Sequence, residues 1–139
     1  VKTLKYVPPL LAMGLSAGLV DASAAHAQRR DRGEAELAKL LAGRVPGKPV
    51  DCIDLRSSNS SRIIDRTAIV YGSGGTLYVN RPRSGASSLD SDDILVTRTV
   101  GSQLCRLDTV RLVDRGSRIS TGFVALDKFV PYARPRNRR

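Results

Sequence analysis

The chain has 139 residues, with 23 Lys and Arg against 13 Asp and Glu, and a formal net charge of +10. That length holds one domain comfortably and not two. At 41% hydrophobic and 26% charged residues, the composition excludes collagen-like, wholly disordered and multi-span membrane classes.

The N-terminal segment excludes more chemistry than any later motif. Lys2 and Lys5 form a positive start. The apolar run that follows, residues 7–20, is too short to cross a hydrocarbon core of about 30 Å. Ala25 and Ala27 then place small residues before Gln28, where a signal peptidase needs them. Residues 1–27 are therefore expected to be a secretory signal peptide cut between Ala27 and Gln28. Pro8-Pro9 and the Ala/Ser-rich end weigh against an amphipathic or core helix, and no cysteine lies near the cut to carry a lipid. Val1 suggests an alternative start codon written literally or a trimmed start, and with the short leader it points to a bacterium. Cleavage removes the single His (His26) and the single Met (Met13), and the chain has no Trp. A His-based triad, a His-ligated zinc or copper site and His/Met haem ligation are then excluded. No cofactor or metal is expected.

Next in the chain, residues 31–43 predict one short helix. Leu37, Leu40 and Leu41 recur at i, i+3 and i+4, Glu34 and Glu36 lie near its start, and Gly43 ends it. The apolar stripe is narrow, so the helix is expected to pack on the body as a lid. A Pro/Gly linker over 45–49 completes the segment 28–49. A β domain over 50–132 follows, and a basic flexible tail, 133–139, ends the chain. Strand patterning occupies 50–55, 62–66, 67–71, 76–80, 93–100, 104–113, 123–126 and 128–132. The clearest unit is a hairpin of 67–71 with 76–80 about a Ser73-Gly74 turn. It would pair Val70 with Leu77 and Ala68 with Val79 on one face, and Ile69 with Tyr78 on the other. In 104–113 the apolar phase slips by one near Asp108, the signature of a β-bulge. The expected fold is mainly β: a small antiparallel β-barrel or roll of about six strands with one short N-terminal helix.

Cys52 and Cys105 are the only thiols, and export would place them where disulfides form. Closing a loop of roughly 53 residues stabilises by about 4 kcal/mol in the chain-entropy picture. Their spacing does not match a C-x-x-C redox dithiol. The excess charge sits mostly at the ends: residues 28–32 hold three Arg and one Asp, and 133–139 hold four Arg and no acid. The aromatics after the leader are Tyr71, Tyr78, Phe123, Phe129 and Tyr132, too few and too scattered for a specific nucleic-acid reader. Weak, salt-sensitive attraction to anionic lipid head groups, wall polymers or nucleic acid is expected instead.

Several motifs invite sharper readings. Residues 72–75, Gly-Ser-Gly-Gly, join two strands without a following Lys-Ser/Thr, so a hairpin turn is favoured over a phosphate cradle. Asp90, Asp92 and Asp93 are either a hard-cation site or a solvated loop, and the calcium-loop pattern is missing. Arg66, Arg81, Arg83 and Arg98, with Asp65 nearby, are the candidate anion-binding set, since guanidinium forks suit carboxylate or phosphate. Tyr78 is either a ligand contact or a core residue of the second face. Loop 81–88 is the segment an enzyme inhibitor would present. Asn59-Ser60-Ser61 matches a glycosylation acceptor, which carries little weight in an exported bacterial chain.

The segments Asp51-Cys52-Ile53-Asp54-Leu55, Arg62-Ile63-Ile64-Asp65-Arg66-Thr67, Leu77-Tyr78-Val79-Asn80-Arg81, Gln103-Leu104-Cys105-Arg106-Leu107-Asp108 and Leu126-Asp127-Lys128-Phe129-Val130-Pro131-Tyr132 resemble a family of small secreted proteobacterial proteins of unknown function. The resemblance covers roughly residues 50–132. Members tend to carry four cysteines. Cys52 and Cys105 match two of them, while Ala86 and Val124 stand where the others would be. This implies a kept Cys52–Cys105 bridge and an 86–124 cross-link lost as a unit. The resemblance supports export and fold kind, and supplies no activity.

The expectation is an uncharacterised exported protein, periplasmic or secreted, acting as a non-enzymatic structural or binding module of the cell envelope. Its partner would be an anionic envelope surface or an envelope protein, with no specific nucleic acid, and the chain monomeric or weakly oligomeric. The alternative is a small envelope hydrolase or lyase, with Asp65 or Asp108 as base beside Arg66 or Arg106.

Overall fold

The computed structural model describes residues 22–136, so most of the expected leader and the end of the tail lie outside the described residues. In chain order the elements are α1 (Ala22–Leu41), β1 (Val45–Pro46), β2 (Cys52–Asp54), β3 (Ser61–Ile64), β4 (Ala68–Tyr71), β5 (Thr76–Asn80), a 3-10 turn (Ala86–Ser88), β6 (Asp93–Thr97), β7 (Gln103–Cys105), β8 (Thr109–Asp114), β9 (Ser120–Ala125) and β10 (Phe129–Ala133). All pairings are antiparallel. They form three sheets, β1-β10-β5-β4-β3, β2-β7 and β6-β8-β9. The class is mainly β with one N-terminal helix, as the patterning predicts. The sheets do not close into a barrel, and ten short strands stand where about six were expected.

Alternation along β3, β4 and β5 gives the five-stranded sheet two apolar faces. One carries Ile64, Ala68, Val70, Leu77 and Val79, which pack against Leu37, Leu40 and Leu41 of α1. The other carries Ile63, Ile69, Tyr71 and Phe129, which pack against Val110, Leu112, Val124 and Leu126 of the facing strands. Tyr78 is half-buried and packs against this second cluster, on the second face. Asn80 is fully buried among these apolar groups and is satisfied by Asp127: its Nδ2 donates to the Asp127 carbonyl at 2.5 Å.

Helix α1 begins well before residue 31 and runs through the bond expected to be cut. Its first turns are rich in Ala, Gln and Arg, strong helix formers that extend the helix without any apolar stripe. Leu37 is buried beneath it, as the lid expectation requires. Gly33 is also buried, and a Cβ there would collide with Thr67 Oγ1 and the Asp65 carbonyl. Its missing side chain lets the helix backbone meet the β3–β4 turn. Gly43 ends the helix in the left-handed region at φ 74°, and Arg44 N donates to the Leu41 carbonyl at 3.0 Å.

The central hairpin exists with the expected faces, but its register differs. Val70 pairs with Val79 and Tyr71 with Tyr78, two residues away from the expected partners. A two-residue slip preserves which face each side chain takes, because the strand period is two. The loop is longer for a physical reason. Thr76 and Leu77 pair with Ala133 and Tyr132 of β10 rather than with β4. Arg44 also reaches across to hold the loop tip, Nη2 on the Gly74 carbonyl at 2.7 Å and Nη1 on that of Gly75 at 2.8 Å.

The expected bulge near Asp108 is instead a turn that separates β7 from β8 and sends them to different sheets. Asp108 makes this turn: its Oδ2 accepts from Cys105 N at 2.7 Å while its own N–H donates to the Cys105 carbonyl at 3.0 Å. The register irregularity lies later, between Leu112 and Val113 opposite β9. β2 and β7 pair through Cys52 opposite Cys105, and these two residues form a disulfide with Cα atoms 4.0 Å apart. The flanking bonds, Arg106 N to Asp51 O and Leu55 N to Ser102 O, make Cys52–Cys105 a non-hydrogen-bonded pair, the position where opposed side chains approach most closely.

Candidate functional site

A cleft of about 580 Å³ lies between α1, the β3–β4 turn and the loop leading into β6. Arg29 and Arg32 line it from the helix, Asp65 and Arg66 from the turn, and Asp90 and Asp93 from the segment leading into β6. Arg66 holds a left-handed backbone, φ 53°, unusual for a bulky residue, and its N–H donates to the Leu89 carbonyl at 3.1 Å. Three of the carboxylates here accept hydrogen bonds from the scaffold. Asp65 Oδ1 accepts from Ser91 N at 2.7 Å, and the buried Asp93 accepts from Thr121 Oγ1 at 2.7 Å. Asp114 accepts from both the N–H and the hydroxyl of Ser117, which holds its carboxyl below the usual carboxylate range.

Each of the two aspartates considered as general bases has one oxygen on a backbone donor, Asp65 on Ser91 N and Asp108 on Cys105 N. Arg106 faces Asp51 at 3.1 Å rather than an open cleft. In the Asp90–Asp93 segment, Asp90 Oδ1 accepts from Asp92 N at 2.9 Å while Asp93 turns inward to Thr121. No group of three or more metal-ligating side chains is gathered among the described residues.

The four candidate anion-binding arginines line separate surfaces. Arg66 lies in the large cleft and Arg98 in a shallow groove on the β6-β8-β9 sheet. Arg81 already has an anion. Its guanidinium makes a two-pronged pair with Glu34 of α1, 2.6 and 2.8 Å, and the hydrogen bonds from Arg81 hold the Glu34 carboxyl below its usual range. Arg83 is exposed, and its backbone N–H is bonded to the Ala125 carbonyl at 3.0 Å.

A second surface stands out for its chemistry rather than its depth. On the β6-β8-β9 sheet, Val110, Leu112 and Val124 point into the core, so their neighbours face out. Val96, Arg111 and Phe123 form one cross-strand row on that outer face. They line a shallow groove of about 250 Å³ together with Arg98 and Thr109. Phe123 is 60% exposed. Sequence reasoning passed over it, although the signal was present: Val124 and Leu126 share one phase of the strand, which leaves Phe123 on the other.

No helix among the described residues is long and apolar enough to cross a membrane. Comparison with protein-family models, curated proteins and solved structures finds no match.

Proposed function

We propose that the chain is a non-enzymatic binding module of the bacterial cell envelope, exported to the periplasm or beyond, with weak affinity for anionic partners. The observation that carries this reading is the row Val96–Arg111–Phe123 with Arg98 beside it, an aromatic left in water next to two exposed guanidinium groups. Aromatic residues and arginine are the types that interfaces favour, and an exposed apolar patch rimmed by charge is the usual form of a docking surface. Arg98 belongs to the predicted anion-binding set, and this row gives it neighbours that the sequence did not suggest. The Cys52–Cys105 disulfide supports export, since such bonds persist in oxidising compartments. The likeness of residues 50–132 to small secreted proteobacterial proteins belongs to the same reading.

The test is retention of the exported protein on immobilised polyglutamate as salt is raised from 0.1 to 1 M, a range that shortens the Debye length from about 10 to 3 Å. Retention at low salt that is lost across this range is expected. Failure to bind at low salt, or recovery of the protein from the cytoplasm with both thiols free, overturns the reading.

A further inference from the structure

Two further exposed apolar residues lie in the turns that flank the end of the β6-β8-β9 sheet. Val100 is fully exposed and Leu107 is 66% exposed. Val100 lies in the turn after β6 and Leu107 in the turn before β8. Thr97 pairs with Val110, so the antiparallel register brings these two turns to the same end of the sheet. We infer that this end, with Val100, Leu107 and Phe123 as inserting groups and Arg98 and Arg111 as headgroup contacts, docks the protein on an anionic phospholipid surface. The inference rests on the binding-module reading and names its partner.

Shape and charge favour a lipid surface over a protein. An aliphatic side chain at the tip of a turn is convex and has no walls of its own, so it gains only by entering an apolar medium. The shallow groove beside Phe123, about 250 Å³, gives Val100 and Leu107 no walls, since neither lines it. The local charge is complementary to anionic headgroups. Arg98 and Arg111 are exposed, and among the described residues neither forms an ion pair. Of the nearby acids, Asp51 is neutralised by its pair with Arg106, and Asp108, which accepts from Cys105 N, is the one acid left beside two free arginines.

The scaffold also holds the two turns in place. Both spring from β7, which is fastened to β2 by the disulfide and by backbone bonds at either end, Leu55 N to Ser102 O and Arg106 N to Asp51 O. A stapled strand spares the turns the ordering cost that flexible loops would meet on binding.

The experiment is co-sedimentation of the exported, oxidised protein with phosphatidylglycerol/phosphatidylethanolamine vesicles, and with phosphatidylcholine vesicles as the neutral control. Intact mass fixes the N-terminus and the disulfide, so that residues 7–20 do not contribute. Binding to the anionic vesicles alone is expected. It should fall about fivefold for each of Arg98→Gln and Arg111→Gln, the equivalent of about 1 kcal/mol per charge. It should fall at least about tenfold in the Val100→Ser/Leu107→Ser/Phe123→Ser variant. All three side chains are exposed, and circular dichroism checks that the variant keeps its fold. Equal binding by that variant overturns the inference. Retention on polyglutamate without vesicle binding also overturns it, points to an acidic polypeptide as partner, and leaves the binding-module reading standing. Binding to neither surface overturns both.

Discussion

The two larger sheets obey the same pairing rules and end in opposite states. In the five-stranded sheet, all four residues of β4 are buried, because α1 covers one face and the β6-β8-β9 sheet covers the other. In the three-stranded sheet, Val110 and Leu112 of β8 are fully buried while Thr109 and Arg111 are exposed, because only one face is covered. A continuous apolar run thus marks a strand sandwiched on both sides, and strict alternation marks one with a face left to solvent. The open face is where Phe123 and the exposed Arg98 and Arg111 sit.

The largest contrast this predicts comes from truncating one apolar side chain on each face. Leu37→Ala removes the centre of the contact between α1 and the five-stranded sheet and should cost about 2–5 kcal/mol in denaturant unfolding. Phe123→Ala should change stability by no more than about 0.5 kcal/mol, since the ring is already largely in water. A loss at Phe123 as large as that at Leu37 would mean that the outer face is covered in solution, and the comparison would fail.

The same contrast explains what could be foreseen from the sequence. Faces were legible because they depend only on local periodicity: Ala68, Val70, Leu77 and Val79 share one side just as their spacing predicts. Register was not, because Thr76 and Leu77 are claimed by β10 and the loop tip by Arg44, both distant in sequence. The phase slip at Asp108 was seen, but a slip alone does not distinguish a bulge from a change of sheet. That outcome turns on Cys105 being held against Cys52. Site residues were the least legible. Arginines close in sequence to one hairpin diverge to different surfaces, and Arg81 meets Glu34, 47 positions away.

A smaller effect is expected inside the doubly covered sheet. Tyr71 is buried, its ring packs edge-on against Phe129 with centroids 5.8 Å apart, and its hydroxyl has no hydrogen-bond partner among the described residues. Burial pushes the phenol well above its ordinary value of 10.0. An unsatisfied buried hydroxyl costs about 1–3 kcal/mol, so Tyr71→Phe should keep the ring contact and raise stability by about 1 kcal/mol. A destabilised Tyr71→Phe variant would show that the hydroxyl is satisfied by a buried water.

The smallest effect concerns the rim of the covered face, where Glu34 of α1 meets Arg81 just beyond β5. Both side chains are about half exposed, 44% and 55%, so solvent screening limits the pair to about 1 kcal/mol or less. Its sign with pH is nonetheless definite. The Glu34 carboxyl is held below its ordinary value of 4.5, chiefly by the hydrogen bonds from Arg81. The stabilisation is therefore full above that value and disappears as pH falls through the lower, folded-state one. Glu34→Gln should be slightly less stable than the parent at pH 7 and indistinguishable from it at the acid end, as read by urea midpoints across the pH range. Arg81→Gln should reproduce the same curve, because each variant removes the same pair. If only Arg81→Gln were destabilising, the arginine would be acting through its packing on the sheet edge, and α1 would be held by its leucines alone.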